Sequence, residues 1–151
     1  GEITEAVQQM WKEVGVDAKV EFREWATVFN EYNQPEFNRH NWTFGWATTN
    51  ADADYSLFTL FHSKQLKPVG WNRTHFSNPR VDELLETARR SLNQTEREKL
   101  YGEVQDILAK DPSWLPVYNT KEIVITRSNV KGYVIHPVEY NLGLWKTWID
   151  K

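Results

Sequence analysis

Ile3, Val7, Met10, Trp11 and Val14 recur at the spacing of one helical stripe, and Gly15 then supplies a left-handed stop, which predicts a first helix of about three turns. From Val16 to Phe22 apolar and charged residues alternate, the period of a strand with one wet face. Glu24 to Tyr32 predicts a second helix with Trp25, Val28, Phe29 and Tyr32 inward, barred from extension by Pro35. Trp42, Phe44 and Trp46 alternate with small or polar residues, so a second strand is expected to end at the polar run Thr48 to Asp54.

Tyr55 to His62 predicts a short helix, and Ser63 to Ser77 an irregular stretch broken by Pro68 and Gly70. Asn78-Pro79 opens a helix whose stripe is Val81, Leu84, Leu85 and Ala88. Thr95-Glu-Arg-Glu98 reads as a capping box for a helix carrying Leu100, Tyr101, Val104, Ile107 and Leu108 up to Pro112. Val117 to Thr126 and Gly132 to Ile135 read as strands, followed by an aromatic tail with Trp145 and Trp148. Helices alternating with strands predict an α/β domain, a mixed sheet with flanking helices. A chain that opens in a helix without a preceding strand is expected to be a truncated unit.

Composition narrows the partners. The net charge of -3 offers no general attraction to nucleic acid, and no apolar run approaches the about 20 residues that span a bilayer. Cysteine is absent, which removes thiol catalysis and disulfides but leaves the compartment open. The 8 Trp, 6 Tyr and 7 Phe are more than a small core hides, so either a binding surface or a lost covering domain is expected.

Candidate chemistry is sparse. There is no nucleophile elbow, phosphate loop or zinc helix, and His40, His62, His75 and His136 stand singly, so no catalytic residue, metal or cofactor is assigned. Asp52 and Asp54 are a loop carboxylate pair that could serve acid-base chemistry or a cation, although caps and turns use aspartate more often. Asn41, Asn72 and Asn93 each begin a glycosylation-type triplet. Asp82-Glu83 suits a first helical turn and needs no function. Trp46, at a strand end beside a polar turn, offers a crevice an apolar wall and an indole donor.

Taken in order, several segments resemble the C-terminal lobe of family 5 extracytoplasmic solute-binding proteins, those for dipeptides, oligopeptides, glutathione and nickel. They are Ala6 to Val16 running into Val20-Glu-Phe22, Glu24-Trp-Ala26, Phe44-Gly-Trp46 with its acidic turn, Asn72, Phe76-Ser-Asn-Pro79 with Val81 to Leu85, Arg97 to Leu108, and Trp114-Leu-Pro-Val-Tyr118. The resemblance implies one lobe of a type II periplasmic-binding-protein-like fold. Residues 1–122 would form the distal lobe without its first part, and residues 123–151 the crossover strand and tail returning to a missing N-terminal lobe.

It also implies a non-enzymatic part of an ABC importer. Such a part captures a small peptide-like solute for a membrane permease, in the periplasm or at the cell surface. Trp46 would wall the solute, Thr48, Thr49 and Asn50 would hydrogen-bond it, Tyr118 would add a hydroxyl, and Asp52 would either contribute or cap the following helix. Peptide-reading members place an aspartate three residues after the tryptophan, where this chain has Thr49; losing such a charge-assisted bond costs on the order of 1.5 to 3 kcal/mol. The Thr-rich turn resembles the glutathione branch instead, so a glutathione-like or modified peptide is favoured over nickel complexes, opines or oligosaccharides. A carboxylate-dependent hydrolase and a stand-alone interaction module are the competing classes. Self-association of the 151-residue chain through its aromatic tail is expected at high concentration.

Overall fold

The computed structural model describes residues 1–32, 34, 41–66, 70–136, 138 and 143–150. Pro35, His40 and Pro68, which enter the reading above, lie outside these residues. Two compact units form, Gly1–Gly45 and Trp46–Lys151.

In the first unit α1 (Glu2–Glu13) carries the expected stripe, with Glu2 and Glu5 at its positive end and Lys12 at its negative end. The stop falls where expected: Gly15 adopts φ +86°, and the amides of Gly15 and Val16 return to Lys12 and Trp11 carbonyls at 3.1 and 2.9 Å. No residue of α1 is fully buried; Val7 and Trp11 are half-buried, while Met10 and Val14 are 62% and 76% exposed, so the stripe is only partly covered. After it, residues 16–24 run without a hydrogen-bonded ladder, tied back by Gln8 Nε2 donating to the Ala18 carbonyl at 2.6 Å. α2 (Trp25–Tyr32) ends on the unit's buried tyrosine, Tyr32, whose ring meets Trp42 at 4.5 Å. Trp42 in turn stacks on Phe44 at 4.3 Å.

The second unit is built on three helices. α3 (Ala53–Phe61), α4 (Pro79–Arg90) and α5 (Gln94–Lys110) bury Leu60, Phe61, Phe76, Val81, Leu84, Leu85, Ala88, Tyr101 and Val104 together. Each large side chain fully buried there contributes about 1.5 to 3 kcal/mol. α4 starts as expected, with Asn78 accepting from the amides of Arg80 and Val81 at 2.9 and 3.3 Å ahead of the first-turn proline. α5 starts earlier than expected. Its cap is Asn93, which accepts from the Glu96 amide at 3.2 Å, so Thr95 is already helical. Asparagine caps at least as well as threonine, and the earlier start adds helical residues at the N-terminus.

The expected strands are the main correction. Among the described residues the hydrogen-bonded sheet is one ribbon, β1 (Val130–Lys131) antiparallel to β2 (Trp148–Ile149), with Val130 opposite Ile149. Residues 41–46 keep the alternation, with Trp42, Phe44 and Trp46 half-buried and Asn41, Thr43 and Gly45 exposed, yet no ladder forms. Residues 117–126 are likewise outside any ladder and exposed throughout. A strand needs a neighbour to satisfy its amides and carbonyls, and alternation alone does not supply one. What stands is helices with a small sheet.

Candidate functional site

The second unit opens on Trp46, and the site begins there. Its indole ring lies 5.7 Å from Tyr55 in a stacked arrangement and 5.8 Å from Trp71 edge-on. Its Nε1–H donates to Ser56 Oγ at 3.1 Å, and the same Oγ meets Thr48 Oγ1 at 2.6 Å. Ser56 therefore joins Trp46 and Thr48 through one hydroxyl. The indole donor expected to face a solute is used inside the protein, and the ring offers its face alone.

The turn that follows is held by its own side chains. Asn50 Oδ1 accepts from the Asp52 amide at 3.0 Å, and Ala51 between them takes φ +57°, a left-handed conformation that costs an alanine about 1 to 2 kcal/mol. Asp52 is the N-cap of α3, accepting from the Asp54 amide at 2.9 Å. Both its oxygens also receive Arg97 Nη2 at 2.7 Å, while Arg97 Nη1 donates to the Ala88 carbonyl at 2.9 Å. One guanidinium of α5 thus pins the start of α3 and the end of α4, and fixes where the strained turn ends.

Asp54 is committed as well. Arg89 Nε lies 3.2 Å from its Oδ1, and the Tyr101 hydroxyl donates to the same oxygen at 3.4 Å. Burial pushes its carboxyl above the usual range, with Arg89 opposing and Asp52 adding to the rise. Tyr101, 5% exposed, is pushed up to about 12, first by burial and then by the neighbouring Asp54 charge. The two aspartates are therefore structural ties between helices, without a free partner to activate them as acid and base.

Trp46 and Thr48 line a groove of about 300 Å³, with Ala51, Asn119, Thr120 and Glu122 among the other residues around it. Of the expected site residues the structure brings these two together at the groove. Thr49 and Asn50 are exposed on the turn and Asp52 is taken up at the cap. Tyr118 is 64% exposed and is not among the groove's lining residues; its chain neighbours Asn119 and Thr120 are. Ser56, Arg97 and Glu122 were not read from the sequence. Ser56 and Arg97 lie in helices 10 and 45 residues from the groups they hold, and no local pattern marks such pairs.

Other chemistry suggested by the sequence is absorbed by packing. Asn72 is fully buried, with Nδ2 donating to the His62 and Phe76 carbonyls at 3.1 and 2.7 Å, which removes it as a glycan acceptor. Asn93 caps α5. Asp82 accepts from the amide and hydroxyl of Ser63 at 2.9 and 2.5 Å. His62 is buried, and its Nδ1 accepts from the Lys64 amide at 3.0 Å, so it caps a short 3-10 turn. No metal-ligating cluster occurs among the described residues, and no helix among them is long and apolar enough to cross a membrane.

No protein-family model matches the chain. The oligopeptide-binding protein AppA of Bacillus subtilis is 26% identical over 99% of the chain, and the glutathione-binding protein GsiB of Salmonella typhimurium is 28% identical over 89% of it. The chain spans 27% of the length of each. Among solved structures, the periplasmic binding protein DppA of Helicobacter pylori, in complex with the peptide STSA, matches 98% of the chain at 27% identity and a TM-score of 0.78. AppA with a nonapeptide matches 99% of it at 24% identity and a TM-score of 0.71, a likeness of fold. These relatives are binding proteins, not enzymes. Over nearly its whole length the chain is a homologue of the family 5 solute-binding proteins of the peptide and glutathione type, and it has the fold of one lobe of that periplasmic-binding-protein architecture.

Proposed function

We propose that this chain supplies one wall of the solute site of an ABC-importer binding protein, which captures a peptide-like solute outside the cytoplasmic membrane and hands it to a permease. The observation that carries the reading is the groove at Trp46 and Thr48, on a stretch whose relatives are named for peptides and glutathione. In the full-length protein, residues 1–122 belong to the distal lobe and residues 123–151 return toward a first lobe. Closure of the two buries a solute that a single open wall leaves hydrated. Trp46 supplies an apolar face and Thr48 a hydroxyl, with Thr49 and Asn50 at the rim and Tyr118 reaching the solute from the other end of the exposed segment.

Thr49 and its Thr-rich turn favour a glutathione-like or modified peptide. A plain oligopeptide is the second reading, favoured by the peptides held in the DppA and AppA structures. Calorimetry of glutathione and of short peptides against the full-length protein tests both. Tight binding of one, weakened at least tenfold by Trp46→Ala, is expected. Unchanged affinity in Trp46→Ala removes this groove from the site.

A further inference from the structure

Ser56 lies in the first turn of α3, whose cap Asp52 is held in place by Arg97. Its half-buried hydroxyl meets two residues of the groove wall, Trp46 Nε1 at 3.1 Å and Thr48 Oγ1 at 2.6 Å. Those are the hydrogen bonds of its side chain among the described residues. Valence sets the direction of each. An indole N–H only donates, so Ser56 Oγ accepts from Trp46. The single proton of Ser56 then goes to the acceptor at hand, Thr48 Oγ1. Thr48 accepts in that pair and keeps its own O–H for another partner.

Resting on the groove as the solute site, we propose that Ser56 is a positioning residue: by donating to Thr48 it presents the Thr48 O–H to the solute as a hydrogen-bond donor. A hydroxyl left to itself rotates among partners, and a solute must then supply the ordering. Here Ser56 takes one lone pair of Thr48 and keeps the Thr48 proton out of the pair between them. The relay runs one way, from indole N–H to Ser56 to Thr48, and each bond in such a chain polarises the next, which makes the last O–H a stronger donor. What this point of the wall reads is an acceptor on the solute, a carbonyl or carboxylate oxygen. Ser56 does so without touching the solute, through Thr48.

Glutathione and a pool of tripeptides made from Gly, Ala, Ser and Leu are passed over the immobilised full-length protein, and the most strongly retained member, identified by mass spectrometry, is titrated by calorimetry. Alanine is at least as helical as serine, so Ser56→Ala keeps α3. It should weaken binding roughly fivefold, the mid-range contribution of one neutral hydrogen bond, and Ser56→Thr should restore most of the loss. Thr48→Val should weaken binding by a similar factor. Combining Ser56→Ala with Thr48→Val should cost less than the product of the two separate losses, because the first acts through the second. The Trp46 indole proton resonance, assigned by its disappearance in Trp46→Phe, should move upfield in Ser56→Ala and hold in Ser56→Thr. Losses that multiply, an unmoved indole resonance, or unchanged affinity in Ser56→Ala or Thr48→Val while Trp46→Ala still weakens binding, each overturn the role of Ser56 and leave the groove standing. Affinity indifferent to all the substitutions, Trp46→Ala included, or a wild-type protein that retains none of the solutes, overturns the groove as their site.

Discussion

At the scale of single residues, burial decides which ionisable groups matter to folding. Tyr101 is held protonated well above the usual phenol value, to about 12, by burial and by the Asp54 charge. A group whose folded pKa is raised contributes stability that is present in full below its unfolded pKa of about 10 and lost as pH rises toward its folded value. We predict that thermal stability falls between pH 10 and about 12 more steeply in the wild type than in Tyr101→Phe. Melting curves across that window check it, and parallel profiles would show that Tyr101 does not couple folding to pH. Burial also raises the Asp54 carboxyl, so the fold disfavours its ionised form, an effect relieved in part by Arg89.

At the scale of elements, Asp52 does two separable jobs, capping α3 and pairing with Arg97. Asparagine keeps a capping oxygen but not the charge, whereas alanine keeps neither. Asp52→Ala is therefore expected to be about 1 kcal/mol less stable than Asp52→Asn. Both should fall below wild type, because each leaves Arg97, 18% exposed, without its counter-charge. Urea denaturation of the three proteins measures the two steps. Equal losses in both variants would mean that the cap contributes nothing to α3.

At the scale of the whole molecule, much apolar surface stays open. Ile123 and Ile125 are 80% and 93% exposed, and Trp145 and Trp148 are 62% and 55% exposed. Such surface is costly in water and favours cover by another lobe or another copy. We predict that the 151-residue chain self-associates in a concentration-dependent way and that the full-length protein does so less. Light scattering over a range of concentrations measures this, and a strict monomer at millimolar concentration refutes it.

The sequence by itself determined the helices, because their information is local. Asn78-Pro79 specifies a start, the recurrence of Val81, Leu84, Leu85 and Ala88 specifies a buried face, and Gly15 specifies a stop. Trp46 and Thr48, at the head of a polar turn that is readable in a few residues, both line the groove. The runs 16–22 and 117–126 do not form strands, because a strand exists through a neighbour's hydrogen bonds and alternation records only which side faces inward. Tertiary structure alone decided the rest of the site. Ser56 holds the Trp46 N–H, Arg97 takes Asp52 from across 45 residues, and Glu122 is brought to the groove. Each depends on which side chains the packing of α3, α4 and α5 brings within hydrogen-bonding distance, a property of distances in space that spacing along the chain does not encode.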